Sequence, residues 1–207
     1  MSVSRRTFIK ITGVAGVGLT LGVTYKVVSG PGQPATDAAF APNAFLRIDT
    51  DGSITVVVGK SEMGQGVSTA LPMLLAEELE VPFERVAFEF APAHAAYGAL
   101  GMQVTGGSTS VVQSWVPLRE AGAAARLMLR EAAAREWGVP ASDIEMRDAK
   151  AHHPDGSMLD YGELATAAAD VDVPKNVALK DPSEFRLIGT SQNRLDIPAK
   201  TTGEAVF

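Results

Sequence analysis

Two glycine-rich segments each stand directly ahead of a helix-periodic stretch, and this repeated arrangement constrains the fold more than any other feature of the chain. The first is Ser61-Glu62-Met63-Gly64-Gln65-Gly66-Val67-Ser68-Thr69, and the second is Thr105-Gly106-Gly107-Ser108-Thr109-Ser110. A helix start presents unpaired N–H groups and positive partial charge, so it favours anions. Glycines let the main chain approach a ligand closely, while Gln65, Ser108, Thr109 and Ser110 offer neutral hydrogen-bonding groups. Neither segment is a nucleotide fingerprint, because the sequence has no G-x-x-x-x-G-K-[ST] and no G-x-G-x-x-G after a strand. On physics alone, each could also be a turn whose hydroxyls cap a helix, a cap being worth about 1 kcal/mol.

The flanking patterns supply the elements. Residues 44–50 and 54–60 are β-rich runs joined by Asp51-Gly52-Ser53, which predicts a hairpin. Residues 70–80 read as a helix with Leu71, Leu74, Leu75 and Leu79 facing inward and Pro72 in the first turn. Residues 86–90 alternate as a strand. Val111, Trp115, Leu118, Gly122, Ala125 and Leu129 then recur at helical spacing up to about Trp137, where Gly138 and Pro140 end the helix. Pro117 implies a kink or a later start. A hairpin around Pro154-Asp155-Gly156, a short helix from Tyr161 to Ala169 and a polar connector follow. The sum predicts an α+β (α/β-like) fold, with strands and two packed helices opened by the glycine-rich loops. It does not predict an uninterrupted βαβ series.

Composition narrows the function classes. The 207 residues are 46% hydrophobic and 20% charged, which fits a globular chain of one domain, or one and part of another. No apolar run approaches the roughly 18–20 residues of a bilayer-spanning helix, so a polytopic membrane protein is excluded. The lack of cysteine rules out disulfides, thiolate zinc sites and self-ligated iron–sulfur clusters. A net charge of −6 argues against a nucleic-acid binder.

That charge is unevenly spread. Arg5, Arg6, Lys10 and Lys26 are the only charged side chains before Asp37. A basic start, an apolar middle interrupted by Gly13, Gly16, Gly18 and Gly22, and then SGPGQPAT read as an export signal. The paired arginines with Phe8 and Lys10 resemble the twin-arginine pattern, which carries already folded proteins to the periplasm. An uncleaved membrane anchor and a frayed N-terminal helix stay open, and no cleavage site stands out. Export in the folded state suits a protein that must first acquire a complex cofactor. His94, His152 and His153 form no metal triad by spacing and read as surface loop residues. Trp115 and Trp137 read as packing residues. Arg119, Arg126, Arg130 and Arg135 line one helix, either as a solvated face or as an interface with an acidic partner or with the rest of a larger subunit.

The wording of the body then becomes recognisable. The stretch APNAFLRIDTDGSITVVVGKSEMGQGVSTALPMLLAEELEV (41–81) resembles the start of the molybdopterin-binding large subunit of the xanthine oxidase family. It is most like the isoquinoline 1-oxidoreductase and periplasmic aldehyde dehydrogenase type. The resemblance continues through TGGSTSVVQSWVPLREAGAAAR (105–126), YGEL (161–164), KDPSEFRLIG (180–189) and RLDIPAKTTGEAVF (194–207). It departs from the family at YGALGMQV (97–104), which is less glycine-rich than usual.

The resemblance implies that Met63, Gly64, Gln65 and Gly66 contact a molybdenum cofactor, with Gly106, Gly107, Ser108, Thr109 and Ser110 on its other side. It implies the cytosine dinucleotide form of molybdopterin and hydroxylation of an aldehyde or N-heterocycle with water as oxygen source. Electrons would leave to 2Fe–2S clusters in a small partner subunit and on to a cytochrome. The family's catalytic base lies in a later G-[VI]-G-E motif that this chain lacks, and Glu62 matches a non-catalytic position. The expected layout is a leader over residues 1–38, a molybdopterin-binding portion over 39–172, and a connector with the start of a hammerhead-like domain over 173–207. The chain would then work with the remainder of a large subunit. The alternative is a non-catalytic binding or assembly module of the same fold.

Overall fold

The computed structural model describes residues 40–43, 45–94, 97 and 103–205. The expected leader lies outside the described residues, as do Met102, Val206 and Phe207. The expected hairpin forms from β2 (Leu46–Ile48) and β3 (Ile54–Val58), which pair antiparallel in the register Leu46↔Val56 and Ile48↔Ile54. Its turn closes with Asp49 N–H on the Ser53 carbonyl at 3.0 Å and Gly52 at φ 84°. β1 (Phe40–Asn43) adds antiparallel to β2.

From β3 the chain passes through the first glycine loop into α1 (Val67–Leu79), then returns as β4 (Val86–Phe90). β4 lies parallel to β3, from Ile54↔Val86 to Val58↔Phe90, giving the sheet order β1-β2-β3-β4. A single βαβ unit therefore sits inside an otherwise antiparallel sheet. The second glycine loop opens α2 (Ser110–Trp137), about 42 Å long at 1.5 Å per residue. Gly138 ends it in the left-handed region at φ 67°, as its position after the last periodic residue predicts. A three-stranded meander follows, β5 (Glu145–Arg147), β6 (Lys150–His152) and β7 (Met158–Asp160). It leads into α3 (Tyr161–Ala168) through a capping box made by Asp160 and Glu163. After a long connector the chain forms α4 (Ile197–Thr202).

The core lies between the four-stranded sheet and α1–α3. Every residue of β3 is buried, and α1 is buried nearly all round. α1 and α2 touch at Gly122, where an added Cβ would stand 2.3 Å from the Leu75 carbonyl oxygen. The hairpin turn packs on α3 in the same way, since a Cβ on Gly162 would lie 2.6 Å from the Gly52 nitrogen. Arg85 locks this contact, donating to both oxygens of Asp160 at 2.8 and 3.1 Å and to the Gly52 carbonyl at 2.9 Å.

Several expectations need correction. α1 starts at Val67, so Pro72 lies in the second turn, where its missing N–H forgoes the bond to the Ser68 carbonyl. Pro117 lies inside α2, which starts at Ser110 rather than after the proline. The buried stripe of α2 begins at Leu118, and Val111 is exposed. Arg119 is not solvated but 6% exposed, held by the buried Glu78 carboxylate at 2.7 Å. Its guanidinium also lies over the Trp115 and Phe185 rings at 5.4 and 4.9 Å. His152 is a half-buried residue of β6 rather than of a loop. The connector that sequence showed only as polar is sewn to α1: Glu77 Oε2 accepts the amides of Arg186, Leu187 and Ile188, and Lys180 pairs with Glu77 and Glu80 at 2.8 Å each.

Candidate functional site

β3 delivers the chain to the first glycine loop, and the second loop comes to lie beside it. The Ser61 amide donates to the Thr105 hydroxyl at 2.8 Å. Just below, the Lys60 ammonium donates to the Val104 carbonyl and to the Gln113 side chain, both at 3.0 Å. The two segments that stand 44 residues apart in sequence are thus one structure. The contacts that join them come from Ser61 and Thr105, which open the two segments, and from Lys60, Val104 and Gln113, which lie outside both motifs.

Within the first loop, Gly64 and Gly66 adopt φ values of 99° and 85°, open to glycine without strain. Met63 projects into solvent, 69% exposed. Gln65 folds back on its own loop: its Oε1 accepts the Met63 amide and its Nε2 donates to the Ser61 carbonyl at 2.8 Å. Gly66 is the N-cap of α1, and no hydroxyl caps that helix. Glu62 does the work instead. Its Oε1 accepts the Gly64 and Gly66 amides at 2.8 and 2.9 Å, and its Oε2 accepts the Ser68 amide and hydroxyl at 3.0 and 2.8 Å. Burial alone would raise the pKa of this carboxyl, but the Gly66, Ser68 and Gly64 donors outweigh it and lower the value to about 2. The start of α1 therefore already holds an anion, its own.

The second loop is open. Gly106, Gly107 and Ser108 are exposed, and Ser108 is held at φ 56°, a left-handed conformation that a side chain rarely takes. The Thr109 hydroxyl turns back to the Gly106 carbonyl at 2.9 Å, so no side chain caps α2. Ser110 begins the helix. An added Cβ on Gly64, Gly66 or Gly106 would meet nothing within 4 Å, so space lies directly above all three. Lys60 reinforces the positive end of α2. It is 7% exposed, its pKa is lowered by burial, and among the described residues it has no carboxylate partner within ion-pair distance. An anionic ligand at the start of α2 would meet helix-end amides, hydroxyls and a buried cation together.

A cavity of about 730 Å³ opens beside the loops, at the C-terminal ends of β3 and β4. Phe88, Phe90, Gln103, Leu195 and Ala199 contribute to its walls, and it meets the glycine segments at Ser61, Glu62 and Thr105. It does not take in residues 63–66 or 106–110. No group of three or more His, Cys, Asp or Glu that could hold a metal exists among the described residues. Among the same residues no helix is long and apolar enough to cross a membrane.

A family model for a molybdopterin cofactor-binding domain matches residues 5–201. The beta subunit of isoquinoline 1-oxidoreductase from Brevundimonas diminuta is 34% identical over 211 aligned residues, covering 82% of this chain and 27% of its own. A membrane-bound aldehyde dehydrogenase (pyrroloquinoline-quinone) from Gluconacetobacter polyoxogenes is also 34% identical, over 83% of this chain and 22% of its own. The crystal structure of quinoline 2-oxidoreductase from Pseudomonas putida 86 superposes with a TM-score of 0.50 at 24% identity, over 68% of this chain and 19% of that one. That likeness concerns the fold. The chain spans about a quarter of the length of these curated relatives.

Proposed function

The chain belongs to the molybdopterin cofactor-binding domain family of the xanthine oxidase type, and from that premise we propose that it holds the molybdenum cofactor of a periplasmic hydroxylase acting on an aldehyde or an N-heterocycle. The observation that carries the reading is the pairing of the two glycine loops, with open space above Gly64, Gly66 and Gly106 beside an uncapped α2. Backbone without side chains lets a bulky ligand come close to both loops, and the amides that would meet its phosphates are those at the start of α2, because Glu62 already takes those of Gly64 and Gly66.

The residues fit the group. The amides at the start of α2, with Gly106, Gly107, Ser108, Thr109 and Ser110, would hold its phosphates, and Lys60 would add charge from below. Met63, Gly64, Gln65 and Gly66 would contact its pterin side. The cytosine dinucleotide form is the expected one. When bound, the group supplies two-electron oxidation with oxygen drawn from water. The chain's own residues bind and orient it. Among the described residues Glu62 is committed to the loop's own amides, and its lowered pKa makes it a poor proton acceptor at neutral pH. The base for turnover would come from the remainder of the large subunit. Electrons would pass to 2Fe–2S clusters in a small partner subunit and then to a cytochrome. The names of the relatives support the substrate classes, and the basic leader supports export by the twin-arginine route.

The test is elemental and nucleotide analysis of the protein purified from periplasm with its partners, followed by assay with aldehydes and N-heterocycles. Molybdenum and a cytidine phosphate in near-equal amounts to the chain, with oxidation of one substrate class, are expected. A purified assembly with neither molybdenum nor a cytidine phosphate would contradict the reading.

A further inference from the structure

Glu62 and Arg194 meet at the first glycine loop and hold it through different backbone groups. Glu62 fills the start of α1 from within, with four hydrogen bonds to residues 64, 66 and 68. Arg194 arrives from the connector, 130 residues after Gly64, and donates to the Gly64 carbonyl at 3.2 Å. The same guanidinium lies 3.3 Å from Glu62 Oε1. It is aimed by Asp196, which takes its Nε at 2.9 Å and its Nη2 at 2.7 Å, and Asp196 in turn pairs with Lys200. One residue on, the Leu195 amide donates to the Thr69 hydroxyl at 2.9 Å, so the connector lies across the first turn of α1.

Each partner in this set is hard to replace. Both Glu62 oxygens receive backbone N–H groups, so a carboxamide in either orientation would turn a donor toward a donor. The Arg194 fork reaches a carbonyl and two carboxylates at once, which a single ammonium does not do. Glu62 faces only N–H, O–H and guanidinium groups here, a half-buried carboxylate with both oxygens hydrogen-bonded.

We propose that Glu62 and Arg194 are positioning residues that fix the first glycine loop in its ligand-receiving conformation, and that Arg194 couples docking of residues 194–200 to occupancy of that loop. This rests on the loop being a cofactor site. Each residue acts through the loop's backbone. Coupling is reciprocal, so a ligand on the loop protects the connector segment and a detached connector weakens the ligand.

Hydrogen–deuterium exchange on the full protein, with cofactor and after its removal, tests this. Glu62→Gln should speed exchange of the Gly64, Gly66 and Ser68 amides about tenfold or more, the scale of a lost hydrogen bond to a charged group. Arg194→Ala should speed exchange in the loop and at Leu195, with Arg194→Lys intermediate and the exposed Arg186→Ala unchanged. In the wild type, cofactor should slow exchange in both the loop and residues 194–200. In Arg194→Ala only the loop should respond. Unchanged loop exchange in both Glu62→Gln and Arg194→Lys, or a connector still protected by cofactor in Arg194→Ala, overturns the proposal. Faster loop exchange with full cofactor retention supports the positioning role and overturns the cofactor assignment of the loop.

Discussion

Glu62 accepts the hydrogen bonds that the start of α1 would otherwise offer a ligand, and that single fact reassigns half of the anion-binding potential visible in the sequence. Its stability contribution has a defined pH window. Because the folded pKa lies near 2, below the ordinary carboxylate value, the stabilisation is complete above about pH 5 and lost as pH falls toward 2. Denaturant midpoints measured from pH 7 to 2.5 should show Glu62→Gln less stable at neutral pH by on the order of 3 kcal/mol. The difference should close in acid. Lys60 is the opposite case, a buried cation with only neutral acceptors. Lys60→Met removes two hydrogen bonds and relieves a buried charge, so stability should move by no more than about 1 kcal/mol. Cofactor affinity should nonetheless fall about tenfold, which cofactor titration would read.

At the scale of elements, local signals were legible where one residue type dictates one conformation. Asp51-Gly52 and Pro154-Asp155-Gly156 mark hairpins, and Gly138 stops α2. Helix starts were less legible. Residues 67–69 show no apolar stripe of their own, so periodicity placed α1 three residues late and Pro72 in the wrong turn. The parallel pairing of β3 with β4 joins strands far apart in sequence, and no short-range pattern encodes it. The close approaches carry the sharpest prediction here. A methyl at Gly122 has no room beside the Leu75 carbonyl, so Gly122→Ala should destabilise by about 1–3 kcal/mol in chemical denaturation. Tyr161→Phe, which only forfeits the buried bond to the Leu79 carbonyl, should cost about 1 kcal/mol.

At the scale of the whole molecule, charge organises what hydrophobic pattern leaves undetermined. Glu77 and Glu78 are buried side by side on α1, and they gather Arg119, Lys180 and the amides of residues 180 and 186–188 onto the core. Sequence showed Arg119 as one of four arginines on a helix, and nothing in the spacing separates it from Arg126, Arg130 or Arg135. Burial is decided by what packs over α2, and Phe185 comes from the connector. Arg119→Met should destabilise by about 3–5 kcal/mol, because Glu78 would keep its burial and lose its cation. The site follows the same rule: the motif residues were legible as glycines and hydroxyls, whereas Lys60, Glu62 and Arg194 act through contacts spanning up to 130 residues.

The central claim is that the paired loops form the cradle of a molybdenum cofactor, and Gly106 tests it with least disturbance of the fold. A Cβ there meets no atom within 4 Å and the backbone is not left-handed, so Gly106→Val should fold and melt as the wild type does while filling the space above α2. Molybdenum per mole of purified protein should fall at least about tenfold in that variant. Full molybdenum content in folded Gly106→Val would contradict the claim.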